Sequence, residues 1–444
     1  MKIDFHRFLA LACLKGISFV SLGQSETRER SVSVHNGEVE SQQIGTSSRA
    51  SFKGIKEGKL GVYSTDSLDE TTPDTALDAI TETSSFGKED KEDNYFSGKG
   101  TYIKAKTIRN DFVPSNLKNR RRSALSLCET IRKRDKRIQN VDVSLSMVYE
   151  NGEKKNSLGL NCQEGTKYFS GSRYISAMDE DGNVRNSDEG TYSRISLDDL
   201  IEELKGRIGR LLSFTMDFFH SVSLPSGSYP CVFSKERASI LLNYYRGQLS
   251  AKQVQKHLSI FEGKLNKKIR SDQRTVLHTP HIEYRGAASY DADGCPTEDF
   301  PVINKGRLKT YFYSLESAHE EKRESNGCSI GDGEGGPCIL TVEKGEKSLQ
   351  DLFRQRKNGI YLTELKGLNS GIDGQSRQFS LPCSGYIIKD GKKDKAFDRN
   401  IVSGNLADVF RNVLALSDDS KIVGGNLMPD RLVSSVDLSG NEDN

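Results

Sequence analysis

The sequence predicts an α+β chain: two small N-terminal units, each a helix with an antiparallel sheet, followed by a large β-rich C-terminal domain. Three observations predict it. The 444 residues include 40 Gly but only 10 Pro and no Trp, a composition that suits many strands and tight turns better than a helical bundle. Stretches of alternating apolar and polar residues are punctuated by strong hairpin signals, Asn36-Gly37 the clearest. A helix-then-hairpins order also occurs twice in the first half, which reads as a possible duplication. The domains then fall at 1–90, 91–215 and 216–444, the first boundary near the acidic, polar run 86–99.

Taken in order, Phe5, Phe8, Leu9, Ala12 and Cys13 share one face of a first helix. Strands follow over 30–36, 38–46, 49–55 and 60–64, with turns at Asn36-Gly37 and across 56–59. Ala76, Leu77 and Ile80 mark a helix over 69–83. The second unit repeats this with a helix over 115–139, a strand over 141–149, a turn at Glu150-Asn-Gly-Glu153, strands near 157–161 and 167–178, and a hairpin at Asp179-Glu-Asp-Gly182. Ser196 is an N-cap with first-turn acids Asp198 and Asp199, opening a helix to about Phe214. A short strand over 226–233, helices over 236–246 and 251–261, and then strands from 275 to 439 complete the chain. Helices near 349–355 and 406–416 interrupt those last strands.

With 64 Lys+Arg against 62 Asp+Glu the net charge is +2, so no global field favours nucleic acid or a membrane surface. Cys13, Cys128, Cys162, Cys231, Cys295, Cys328, Cys338 and Cys383 form no C-x-x-C pair and read as scattered reduced thiols. The apolar run 8–14 is short and flanked by Asp4, His6, Arg7 and Lys15, unlike a secretory segment. No run is long enough to cross a bilayer, and the expected location is cytoplasmic.

A set of ordered segments spans nearly the whole chain: SVSVHNGEVES, SGSYPCVFSKERASILLNYYRG, SIFEGKLNKKI, DADGCPTEDFPVINKGRLKTYFYSLESA, GIYLTEL, a Gly-rich run ending in QSRQFS, SGYIIKDGK and SGNLADVFRNVLAL. Each alone is only a strand, turn or helix pattern. In this order they resemble the TldD/PmbA family, and within it the PmbA, or TldE, branch. The resemblance implies a two-subunit metallopeptidase in which one member carries a zinc helix, H-E-x-x-x-H, just after the strand that is 230–233 here. Two His about one helical turn apart converge on a metal, and the Glu takes a proton from metal-bound water. The corresponding segment, 234–245, contains no His, and Glu236 stands between Lys235 and Arg237 as an expected helix-surface acid. The late Cys ligand of catalytic members is also missing, since no Cys follows Cys383.

Other chemical readings are weaker. His278-Thr-Pro-His281 has H-x-x-H spacing, but Pro280 opposes a helix, and in a strand positions three apart face opposite ways; loop or edge-strand histidines are expected. Asp291-Ala-Asp293-Gly294 begins like a calcium loop, yet Pro296 and Val302 stand where Gly and Glu are needed, so a turn is expected. His319-Glu320 is followed by no second His. Gly331-Asp-Gly-Glu-Gly-Gly336 lacks a following Lys-Ser/Thr and helix, so a flexible loop is expected. Nucleophilic signatures are absent: there is no G-x-S-x-G. Lys118, Arg120, Arg121, Arg122, Arg132, Lys133, Arg134, Lys136 and Arg137 read as the solvated face of an amphipathic helix over Leu117, Ala124, Leu127, Cys128 and Ile131. Nucleic-acid contact is the functional alternative, without an aromatic platform to accompany it.

The sequence therefore assigns no catalytic residue, no metal ligand and no identifiable peptide-binding residue to this chain. By resemblance, it expects no cofactor here, with zinc on a partner. The expected partners are a TldD-like subunit or a second copy, and an unfolded peptide. A self-associating peptide-binding module and an independent metallopeptidase using His278, His281 and an acid are the alternatives.

Overall fold

The computed structural model describes residues 3–105, 111–270, 274–374 and 376–440. Met1, Lys2 and Gln375, which belong to the first-helix and Gly-rich segments read above, lie outside these. The chain divides into two units, 1–215 with 283–297, and 216–282 with 298–444.

The first unit comprises α1 (Phe5–Leu14), β1 (Phe19–His35), β2 (Glu38–Lys56), β3 (Lys59–Thr65), α2 (Thr72–Ser84), α3 (Leu117–Arg132), β4 (Ile138–Asn156), β5 (Asn161–Met178), β6 (Val184–Ser193), α4 (Leu197–Gly206) and α5 (Ile208–Met216). Its strands form one six-stranded sheet in the order β3-β2-β1-β4-β5-β6, antiparallel throughout. The two stretches read as separate units thus meet in a single sheet, joined by β1 against β4. Alternation along β1 explains how. Val20 and Leu22 enter a core with Phe8, Ala12, Phe52, Leu77 and Ile80, while Val32 and Val34 enter a second core with Ala124, Leu127, Ile131, Leu200 and Leu204. All four β1 positions are even-numbered, so both cores lie on one face of the sheet. Between them that face carries Gln24, Glu26, Arg28 and Arg30.

Several local expectations hold. Asn36 (φ 51°) and Gly37 (φ 90°) make the β1–β2 turn, and Ser196 caps α4 by accepting from the Asp199 N–H. Others are corrected. Strand β1 begins at Phe19, well before 30, and β2 is continuous across 46–49. Glu150–Glu153 is no turn: β4 continues to Asn156 with Gly152 paired to both Ser25 and Glu164, and the chain reverses at 157–160 instead. Pairing on both sides overrides the local turn preference there. Helix α3 ends at Arg132, α4 gives way to α5 at Arg207, and Cys13 is exposed rather than packed.

The second unit comprises β7 (Gly227–Phe233), α6 (Lys235–Arg246), α7 (Ala251–Gln255), β8 (Val276–His278), β9 (Phe300–Asn304), β10 (Arg307–Leu308), α8 (Leu315–Glu320), β11 (Ser329–Gly331), β12 (Glu334–Gly335), β13 (Leu340–Val342), α9 (Leu349–Arg356), β14 (Gly359–Leu365), β15 (Gln378–Lys389), β16 (Lys392–Asn405), α10 (Leu406–Arg411), β17 (Val413–Val423) and β18 (Asn426–Ser439). Strands β7, β14, β15, β16 and β18 close on themselves, because β18 pairs with β16 over 437–439 and with β7 over 431–438. Cys231, Phe233, Ile360, Leu362, Leu381, Phe397 and Leu438 are buried in the core of this unit. The start of β18 runs parallel to β13, which extends the sheet through β8, β9 and β10.

Here too some expected helices are shorter. Helix α7 stops at Gln255, and α10 stops at Arg411 before β17 begins. The Gly331–Gly336 segment is a pinned β11–β12 hairpin, not a flexible loop. The Ser314 hydroxyl donates to the Gly333 carbonyl, Lys252 Nζ to the Asp332 carbonyl and the Gly335 N–H to Ser250 Oγ. A Cβ at Gly335 would lie 2.0 Å from the Phe312 carbonyl oxygen.

Candidate functional site

The place to look is α6, since it follows β7 as the zinc helix of the resembled family follows its strand. Ser234 follows β7 in extended backbone (φ −60°, ψ 151°) and its hydroxyl accepts from the Arg237 N–H, starting the helix. Ala238, Ser239, Leu241, Leu242 and Tyr245 face inward, with Tyr245 stacked on Phe410 at 4.6 Å. Ser239 Oγ donates to the Val423 carbonyl, and Asn426 bonds both Ser239 and Asn243. The face that would need metal-binding imidazoles is committed to packing and neutral hydrogen bonds.

At the first turn lies a dense charge cluster. Asp430 of β18 accepts from the Lys235 N–H at 2.9 Å, from the Tyr361 hydroxyl at 3.4 Å and from the Ser417 hydroxyl at 3.3 Å. Its carboxylate is 3.5 Å from Lys235 Nζ, which also bonds Asp419. The Asp430 side chain is only 2% exposed. Burial pushes its carboxyl above the usual range, Lys235 opposes that shift, and nearby Glu236 adds to it. Glu236 is half-buried rather than the surface acid expected from sequence. The two carboxylates, Asp419 and Asp430, are bridged by an ammonium group and not by a metal-binding imidazole set. With no His on α6 and this donor set, the residues present do not fit a zinc ion at this position.

The H-x-x-H pair is also accounted for. His278 is fully buried inside the sheet, between β13 and β9, rather than in a loop or on an edge. Its Nδ1–H donates to the Glu298 carbonyl at 2.9 Å and its Nε2 accepts from the Cys338 N–H at 3.2 Å. Both nitrogens are therefore spoken for in a single neutral tautomer. Burial is the main force lowering its pKa to about 4, against the hydrogen bond to Glu298. His281 lies 3.4 Å from Asp299.

In the first unit Asp291 closes the expected tight turn, its carboxylate accepting from the N–H groups of Asp293 and Cys295. All eight cysteines are free thiols, including Cys328 and Cys338. Among the described residues no group of three or more His, Cys, Asp or Glu is arranged to hold a metal. No helix there is long and apolar enough to cross a membrane. The basic helix α3 departs from its solvated reading at one position: Arg120 is fully buried. Neither the Lys235–Asp430 pair nor the burial of Arg120 had a sequence signal. The pair joins residues 195 positions apart, and Arg120 sits in the unbroken polar run 118–123.

Comparison with known proteins places these features. Residues 226–440 match the PmbA/TldA metallopeptidase C-terminal domain, and residues 20–84 match domain 1 of the same family. A metalloprotease PmbA homolog of Buchnera aphidicola is 26% identical over 64% of this chain, and the match spans 62% of that protein's length. A Thermotoga maritima crystal structure described as a modulator of a DNA gyrase superposes with a TM-score of 0.86 at 26% identity, covering 98% of this chain and 99% of the other. TldE from Thermococcus kodakarensis gives a TM-score of 0.82 at 18% identity, covering 98% and 100%, a likeness of fold alone.

Proposed function

This chain belongs to the PmbA/TldD metallopeptidase family, and we propose that within it the chain is a non-catalytic, TldE-like subunit. In this reading a metal-bearing homologue supplies the zinc and the cleavage. The present chain completes the enzyme and helps hold an unfolded or modified peptide for proteolysis or maturation in the cytoplasm. One observation carries it: the helix after β7 has no His and has Lys235 Nζ between Asp419 and Asp430.

Peptide capture as an added strand suits a substrate without fixed side chains, because backbone groups supply most of the bonds. The five-stranded barrel has no open edge for this. At one end of the six-stranded sheet, Thr83 Oγ1 bonds both the N–H and the carbonyl of Val62 on β3. The outer side of β10 is likewise taken, by backbone bonds between Leu308 and both Asn266 and Lys267, so strand addition falls to the terminal strand β6. Co-expression with an H-E-x-x-x-H homologue, followed by size-exclusion chromatography, tests the assembly. A complex of the two chains is expected. A stable homodimer that ignores the homologue would favour the self-associating peptide-binding module instead.

A further inference from the structure

Arg120 occupies the first turn of α3 and is 0% exposed. Its Nη1 donates to the Ser115 carbonyl at 2.7 Å and the Ser115 hydroxyl at 3.0 Å, and lies 3.8 Å from Met147 Sδ. Its Nε and Nη2 have no acceptor. A guanidinium does not shed its proton in a protein, so this is a buried positive charge with only neutral partners. Burial pulls its pKa down and the charge of Arg30 adds to that effect. Such a group without a counter-charge is a marked exception in native structures and calls for an explanation.

Its surroundings supply more positive charge and an aromatic wall. Met147 pairs with Arg30 on one side and Phe169 on the other. The next row on the same face is Arg28, Tyr149 and Lys167. Phe112 stacks on Phe169 at 5.3 Å and meets Tyr149 edge-on at 6.2 Å, while Lys167 Nζ lies 5.5 Å from the Tyr149 ring centre. Arg28 is offset by Glu26 at 2.6 Å. No carboxylate among the described residues pairs with Arg30, Arg120 or Lys167. These side chains sit where the sheet face passes between its two helical cores.

We propose that Arg120, Arg30 and Lys167 form a receptor for one oxyanion, a carboxylate or a phosphate, entering between the first turn of α3 and the Tyr149 row. The ligand would satisfy Arg120 Nε and Nη2 with charge-assisted bonds, the fork geometry for which arginine is suited. Tyr149 and Phe112 would shield them from water. A single buried guanidinium beside an aromatic wall fits an isolated acidic group better than a polyanion track. The proposal stands independently of the subunit reading above.

The test is thermal unfolding of the full chain in inorganic phosphate or acetate against chloride at matched ionic strength. At tenfold excess over Kd, Tm should rise by about 2 °C for the wild type. The rise should vanish in Arg120→Met and shrink in Arg30→Gln, an exposed position that leaves the fold intact. An unstructured peptide bearing Glu should bind at least about tenfold tighter than its Gln counterpart if the source is a peptide carboxylate, one lost charge pair being worth that much. Response to phosphate alone would assign the site to the free anion. No Tm rise with either anion, or equal rises in wild type and both variants, overturns the proposal and leaves Arg120 a structural residue.

Discussion

Helices α3 and α6 each bury a basic residue in the first turn, and the contrast between them is instructive. Lys235 on α6 meets two carboxylates, and the buried one, Asp430, is held by a tyrosine, a serine and a backbone N–H. Arg120 on α3 meets a carbonyl, a hydroxyl and a thioether. The first is a closed set of interactions that leaves nothing for a ligand to do. The second is open. A completed cluster thus explains why the expected catalytic position is silent, and an incomplete one points to where binding chemistry remains.

The largest effect should come from breaking the closed cluster. Asp430→Ala leaves Lys235 inside with one exposed partner, and should destabilise the second unit by about 4 kcal/mol in chemical denaturation. Next is His278, whose neutral form is required by its two hydrogen bonds. Its folded pKa of about 4 lies below the 6.5 of a free imidazole. The unfolded chain therefore binds the proton first, and stability present above pH 6.5 is lost as pH falls toward 4. The loss from this residue should be about 3 kcal/mol, and His278→Gln should flatten that part of the profile while being less stable at neutral pH. Arg120→Met should go the other way from Asp430→Ala: without added anion it should be neutral or gain about 1 kcal/mol, because an uncompensated charge is replaced by an apolar side chain. Smallest is Lys133→Ala, which removes an exposed i,i+4 pair with Glu129. No measurable change in Tm is expected, since such solvated pairs contribute little.

Legibility followed the range of the interactions. The turn at Asn36-Gly37, built from local chemistry, could be read directly, because positive φ at both residues is a local demand. So could α2, whose Ala76, Leu77 and Ile80 form one apolar stripe. Asn151-Gly152 misled for the opposite reason: β1 and β5 pair with β4 on both sides there and hold it extended. The polar run from Gln24 to Arg30 gave no strand signal either, though it lies in the middle of a 17-residue strand. At the candidate site, the missing histidines of α6 were visible in sequence. That Lys235 is clamped by Asp430, or that His278 is interior, depends on strands brought together from distant parts of the chain.

The most direct measurement is cleavage of an unfolded peptide by this chain alone, by an H-E-x-x-x-H homologue alone, and by the two together. No cleavage by this chain alone is expected even with added zinc, and activity in the mixture should depend on the homologue's histidines. That activity should survive Glu236→Gln in this chain. Chelator-sensitive cleavage by this chain alone, abolished by Glu236→Gln or by His278→Gln, would contradict the subunit reading.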